Sequence, residues 1–175
     1  TEAQVLEYAG KIDAYMCGDD EITRRVLEAM LPRLKILGKY GIGVDKIDVE
    51  AATDLRIPVS FCPGVNHTTV AEHAMGLMIA LHRKLLDHAN NVAQWKRYVG
   101  SDILGKKLGI FGFGRIGREL ATRAKAFGME IAAYDVYLPD ELAAEHSIRK
   151  MDTLEDLMRW AQVLCLHATL NEEDR

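Results

Sequence analysis

The chain has 175 residues, is 49% hydrophobic and 27% charged, and carries a formal net charge of −4, the profile of a globular protein large enough for one sizeable domain or two small ones. Its basic pairs, Arg24-Arg25 and Lys106-Lys107, are too short to form a patch, which excludes an electrostatic nucleic-acid partner, and the longest apolar run, residues 74–81, is far below the ~20 residues of a membrane-spanning helix. Cys17, Cys62 and Cys165 are odd in number, far apart and each beside an apolar stretch, so they read as reduced, buried thiols of a cytoplasmic protein; the six histidines show no metal-ligand spacing and no metal site is expected.

In chain order, residues 12–16 read as a strand, 22–30 as a helix, 34–39 as a strand, 41–45 as a glycine turn, 49–55 as a short helix and 58–62 as a strand. This alternation predicts a parallel α/β unit with its own core. Pro63-Gly64-Val65-Asn66 interrupts it and places a domain boundary there, dividing the chain into 1–65 and 66–175. A long helix is predicted over 69–92, capped by Thr68 or Thr69 with Glu72 near its first turn, and apolar almost all the way round, as in a helix buried between two layers. Strands over 108–111, 130–134, 147–149 and 162–166 then alternate with helices over 116–127, 140–145 and 153–161.

The turn between the first of these strands and the next helix carries Gly112, Gly114 and Gly117, a G-x-G-x-x-G spacing. In a dinucleotide site the first glycine permits the tight turn, the second lets the backbone approach a pyrophosphate, and the third lets helix and strand pack closely. The helix N-terminus that follows offers free N–H groups and the positive end of its dipole. A lone glycine turn is weak, but here the following strand ends at Asp135, 18 residues past Gly117, near the ~20 expected of the carboxylate that binds the adenine ribose. That acid repels a 2′-phosphate and the next residues, Val136 and Tyr137, supply no arginine, so NAD is expected over NADP.

Three motifs together resemble the D-isomer-specific 2-hydroxyacid dehydrogenases, with the phosphoglycerate dehydrogenases nearest in appearance. The first is Leu34-Lys35-Ile36-Leu37-Gly38-Lys39-Tyr40-Gly41-Ile42-Gly43-Val44-Asp45-Lys46-Ile47-Asp48 with Ile57-Pro58-Val59; the second is Pro63-Gly64-Val65-Asn66 leading to Val70-Ala71-Glu72 and Arg83. The third runs from Trp95 and Leu104-Gly105-Lys106 through the glycine fingerprint to Phe127-Gly128-Met129 and Tyr134-Asp135. The resemblance implies a Rossmann-type doubly wound sheet, here incomplete, over 66–175 with an interdomain helix from about residue 70, and part of a flavodoxin-like substrate domain over 1–65. It implies that Ile42 and Gly43 grip the substrate carboxylate by backbone N–H groups, that Lys39 reaches a substrate phosphate, and that Val70 touches the nicotinamide. Arg115 and Ile116 would contact the diphosphate, and His167 and Ala168 would line the adenosine pocket. Thr169 and Asn171 stand where the family commonly has Pro and Thr.

The implied function is an NAD-dependent oxidoreductase acting on a small D-2-hydroxy acid or 2-keto acid, phosphoglycerate dehydrogenase-like, as a homodimer. Glyoxylate or hydroxypyruvate reduction is the alternative specific activity, and an NAD(H)-sensing corepressor-type binding protein the alternative of another class. The chain is expected to be a piece of a longer enzyme, with the family's catalytic Arg, Glu and His beyond Arg175.

Overall fold

The computed structural model describes residues 1–168, and the chain divides into two units, Thr1–Val65 and Asn66–Arg175. The first unit opens with a helix the sequence reading did not anticipate, α1 (Glu2–Leu6). Five residues are too few to show periodicity; Gln4 Oε1 accepts from both the Thr1 amine and hydroxyl, and Val5 is buried in the core. The chain then runs β1 (Ala14–Cys17), α2 (Arg24–Met30), β2 (Ile36–Lys39), α3 (Val49–Asp54) and β3 (Val59–Ser60), with the strands parallel in the order β1-β2-β3. α2 starts two residues later than the pattern suggests. Ile22 is used instead in a bridge to Ile47, accepting from Asp48 N–H (2.9 Å) and donating to Lys46 (2.8 Å), and Thr23 becomes the cap. Asp48 caps α3 through Ala51 N–H at 2.8 Å, supplying one of the acceptors that a helix N-terminus lacks. Leu27, Met30, Leu37 and Ala51 form the dry centre of this unit.

The second unit contains α4 (His67–His82), α5 (Leu85–Asn90), β4 (Lys107–Phe111), α6 (Arg115–Ala126), β5 (Glu130–Tyr134), α7 (Asp140–Glu145), β6 (Arg149–Lys150), α8 (Leu154–Trp160) and β7 (Val163–Leu166). Its four strands are parallel in the order β6-β5-β4-β7. Counting β4 as first, this is 3-2-1-4, the opening of a doubly wound dinucleotide fold. Leu108 and Ile110 on β4 pack under Leu120, Ala121 and Ala124 of α6, and α4 adds Ala71, Met75 and Met78. Gly128, at φ +72°, takes the left-handed turn after α6 and donates to Lys125, the glycine stop that the sequence predicts.

The single long helix expected over 69–92 is two helices. Ser101 N–H takes the His82 carbonyl at 2.7 Å, so the i→i−4 ladder ends there, and Lys84 turns left-handed at φ +55°. The helix begins at His67, two residues earlier than expected, with Asn66 at its N-cap and Thr68 and Thr69 inside its first turn. It is not apolar-buried on all sides either: Ala71, Met75 and Met78 are inside while Leu77 and Leu81 face outward. Cys62, expected buried, is exposed, because β3 ends at Ser60 and the chain is already in the following loop. β6 lies at 149–150, shifted from the expected 147–149, because Ser147 and Ile148 fold back to donate to Ala144 and Ala143.

Leu120 is fully buried between α6 and β4. Leu120→Ala is expected to destabilise the protein by ~2–5 kcal/mol, measured as a lower midpoint in urea unfolding, with the spread set by how far the cavity collapses.

Candidate functional site

At the carboxyl end of β4 the three fingerprint glycines meet three different surroundings. Gly112 has φ +92°, and a Cβ there would fall on the backbone of His167 and Ala168, 2.5 Å from the His167 carbonyl carbon. A Cβ on Gly117 would strike the Gly112 carbonyl and lie 3.2 Å from Ile110 Cγ2. Both are therefore glycines for internal packing. Gly114 is different: its φ of −72° suits any residue and a Cβ there would meet nothing within 4 Å. Nothing within the described residues requires glycine at 114, and the open space there fits the role the fingerprint assigns to its second glycine, close approach of a pyrophosphate to the backbone.

Gly114 is the N-cap of the 12-residue α6, and the first intrahelical bond is Arg118 N–H to Gly114 O at 3.1 Å. The N–H groups of Arg115, Ile116 and Gly117 have no acceptor among the described residues, which is the arrangement that binds phosphate at a helix start. Arg115 is exposed in this first turn and forms no ion pair among the described residues; Ile116 is half-buried beside it.

Asp135 follows directly on β5, and its carboxylate is held from both sides. Oδ2 accepts from Phe113 N–H at 2.8 Å and Oδ1 from Tyr137 N–H at 2.8 Å. Each oxygen retains a second acceptor position, so the group is oriented while still able to take two hydroxyls. Phe113 itself is buried edge-on against His146, with ring centroids 5.4 Å apart. The turn and the carboxylate are thus one hydrogen-bonded assembly.

His167 follows β7 and donates its backbone N–H to Phe111 at 2.7 Å, while its Nε2 is buried without a hydrogen-bond partner. Burial pulls its pKa below the ordinary imidazole value, because the charged form loses solvation. Ala168, whose backbone abuts Gly112, is exposed. Val70 sits half-buried in the first turn of α4, a helix tied to α6 by Arg123, which bridges Glu72 at 3.2 Å and Glu119 at 2.5 Å. The Arg123 hydrogen bond holds the Glu119 carboxyl below its usual range. Thr169 and Asn171 lie outside the described residues.

The structure therefore gathers Gly112, Gly114, Arg115, Ile116, Gly117, Asp135, His167 and Ala168 at the carboxyl ends of β4, β5 and β7, where doubly wound sheets bind ligands. Open space at Gly114, unpaired first-turn N–H groups, a preset carboxylate and the orphaned His167 nitrogen suit a dinucleotide. Lys39, Ile42 and Gly43 form a separate group in the first unit. The N–H groups of Ile42 and Gly43 have no acceptor among the described residues, so this turn can act as a small anion nest. Lys39 is only 8% exposed; its ammonium donates to the Gly18 carbonyl and to Asp19 at 3.2 Å. Sequence reasoning missed Phe113 and Asp19: the first acts through its backbone, which no side-chain pattern signals, and the second lies 20 residues from the lysine it holds.

Gly114→Ala should leave the unfolding midpoint nearly unchanged yet weaken NAD binding, read by calorimetry, whereas Gly112→Ala should lower the midpoint. Equal destabilisation by both would contradict the separate roles. His167, with a folded pKa below its unfolded value near ~6.5, favours the native state fully above that pH. Its contribution is lost as pH falls from ~6.5 toward the folded value, and His167→Gln should flatten that part of the stability profile.

Residues 75–175 match the family model described as D-isomer specific 2-hydroxyacid dehydrogenase, NAD binding domain. The chain is 38% identical over 180 aligned residues to a D-3-phosphoglycerate dehydrogenase of Methanocaldococcus jannaschii, covering 100% of this chain and 34% of that protein. It is 39% identical over 160 residues to a hydroxypyruvate reductase of Thermotoga maritima, covering 89% of this chain and 50% of that protein. A crystal structure of NAD+-bound 3-phosphoglycerate dehydrogenase from Entamoeba histolytica superposes with a TM-score of 0.77 at 30% identity, covering 99% of this chain and 52% of that one. The chain thus spans a third to a half of the length of these relatives. It belongs to the D-isomer-specific 2-hydroxyacid dehydrogenase family and carries that family's NAD-binding domain.

Proposed function

We propose that the full-length protein is an NAD-dependent oxidoreductase interconverting a small D-2-hydroxy acid and its 2-keto acid, of the phosphoglycerate dehydrogenase and hydroxypyruvate reductase type. The observation that carries this reading is the single assembly of Gly114, the α6 N-terminus and Asp135. NAD supplies a hydride acceptor or donor at C4 of its nicotinamide. The chain's own part is to bind and orient. The N–H groups and Arg115 and Ile116 at the start of α6 hold the pyrophosphate, with charge assistance from the guanidinium. Asp135 accepts both ribose hydroxyls, His167 and Ala168 line the adenosine side, and Val70 lies on the nicotinamide side. Residues 1–65 supply the substrate domain, whose Ile42 and Gly43 amides take the carboxylate beside Lys39.

Two further features belong to this reading. Leu81, Leu86, Val92 and Val99 are exposed in the same stretch of chain as Trp95, which is itself 94% exposed. An apolar patch of this kind on a soluble unit supports pairing with a second copy, so the full-length protein is a homodimer. A cytoplasmic location and a small-molecule partner, without nucleic acid or membrane, complete the proposal; no helix among the described residues is long and apolar enough to span a bilayer.

Asp135→Ala in the full-length protein is expected to weaken NAD by roughly 1.5–3 kcal/mol, a tenfold to hundredfold loss, with far less effect on NADP. An unchanged ratio of the two affinities would remove Asp135 from its assigned role. Sedimentation at micromolar concentration should give a dimer, with an interface above ~2,000 Å²; a monomer whose Trp95 is shielded from quenchers would refute the interface.

A further inference from the structure

The first unit holds a charge arrangement that bears on which acid the protein takes. Lys39 ends β2 directly before the Gly41–Gly43 turn, and its Cε lies 3.6 Å from where a Cβ on Gly41 would stand. The lysine stem therefore rests against the turn whose amides take the substrate carboxylate. Its ammonium is engaged by the loop after β1. It donates to the Gly18 carbonyl and to Asp19, both in the loop after β1, and its side chain is 6% exposed while that of Asp19 is 99% exposed. Tyr40 N–H to the Cys17 carbonyl, at 2.9 Å, locks the two strand ends together. That loop reads Cys17-Gly18-Asp19-Asp20-Glu21, three successive acids, and Asp20 turns back onto Gly18 N–H at 3.1 Å.

A cation placed to receive a phosphate has to keep donors and net positive charge turned to the incoming group. Lys39 does neither. Two of its three donors are engaged within the protein, its charge is matched by Asp19, and the loop beyond it is negative. A phosphate on an acid held at this turn meets an ammonium already paired with Asp19 and followed by Asp20 and Glu21, so its double charge gains little there and is opposed by the neighbouring acids, whereas an uncharged hydroxyl is not.

We propose that Asp19 is a specificity-determining residue: held on Lys39 at the edge of the substrate loop, it closes the tail end of the site to phosphate, so the substrate is a short 2-hydroxy acid with an uncharged tail. This rests on the reading of the Ile42–Gly43 turn as the carboxylate subsite. The reaction concerned is the family's own, a hydride passing between C4 of the cofactor and C2 while the hydroxyl proton is exchanged with an enzyme base, and the tail is untouched by it. The phosphorylated and unphosphorylated acids therefore differ only in recognition.

The test uses the full-length enzyme with NADH, comparing kcat/KM for hydroxypyruvate and for its 3-phosphate ester, in the wild type and in Asp19→Asn. The wild type should favour hydroxypyruvate at least tenfold. Asp19→Asn, on a fully exposed side chain, should move the ratio at least tenfold toward the phosphate ester, chiefly through KM, and the shift should shrink in high salt. A wild type that prefers the phosphate ester, or a ratio that does not move in the variant, overturns the assignment of Asp19. Failure to turn over either compound by an enzyme that still binds NADH is a different outcome: it overturns the reading of the turn, and this proposal with it.

Discussion

The hydrogen bond from Phe113 N–H to Asp135 Oδ2 links the turn after β4 to the end of β5, and the cofactor site depends on it. A glycine turn by itself can adopt many shapes. This one is pinned on one side by the carboxylate and on the other by the approach of the β7 end onto Gly112, where no side chain fits. With both sides set, α6 starts where its N–H groups face open space, and the Asp135 oxygens are oriented before any ligand arrives. Preorganisation of this kind removes ordering costs that binding would otherwise carry. The packing beneath is a consequence of the same register: Ile110 on β4 and Gly112 in the turn after it lie against Gly117, so α6 sits close on the strand and its core face, Leu120, Ala121 and Ala124, is buried.

The two units present opposite local fields to anions. In the second unit the α6 N-terminus and the exposed Arg115 favour a diphosphate. In the first, the proposed carboxylate turn at Ile42–Gly43 adjoins a lysine already paired with Asp19 and a loop of three successive acids, Asp19-Asp20-Glu21, an arrangement that by our proposal disfavours a second anion. Family membership alone does not distinguish these cases, since phosphoglycerate dehydrogenases and a hydroxypyruvate reductase are similar to this chain to nearly the same degree. By our proposal the discrimination rests on Asp19 and its contact with Lys39.

What could be read from the sequence was what local chemistry determines. The fingerprint spacing, Asp135 at a strand end, Gly128 as a helix stop and α7 over Asp140–Glu145 follow from residues within a few positions of one another. The misses share a cause, which is that distant chain segments decided them. The break after α4 depends on Ser101 taking the His82 carbonyl, and the start of α2 on Ile22 pairing with Ile47. The contacts of Lys39 were likewise out of reach of the sequence, since only the fold brings Gly18 and Asp19 onto it. Neither does periodicity reveal that one flank of α4 stays outside the core.

The central claim, that the α6 N-terminus and Asp135 form one preset dinucleotide cradle, is tested most directly by a crystal structure of the full-length protein with NAD+. The account predicts the pyrophosphate within hydrogen-bond distance of the Arg115 and Ile116 N–H groups and the adenine-ribose hydroxyls on the Asp135 carboxylate, with the Phe113–Asp135 bond unchanged. A bound dinucleotide whose ribose avoids Asp135, or a turn that must rearrange and break that bond to admit it, would contradict the account.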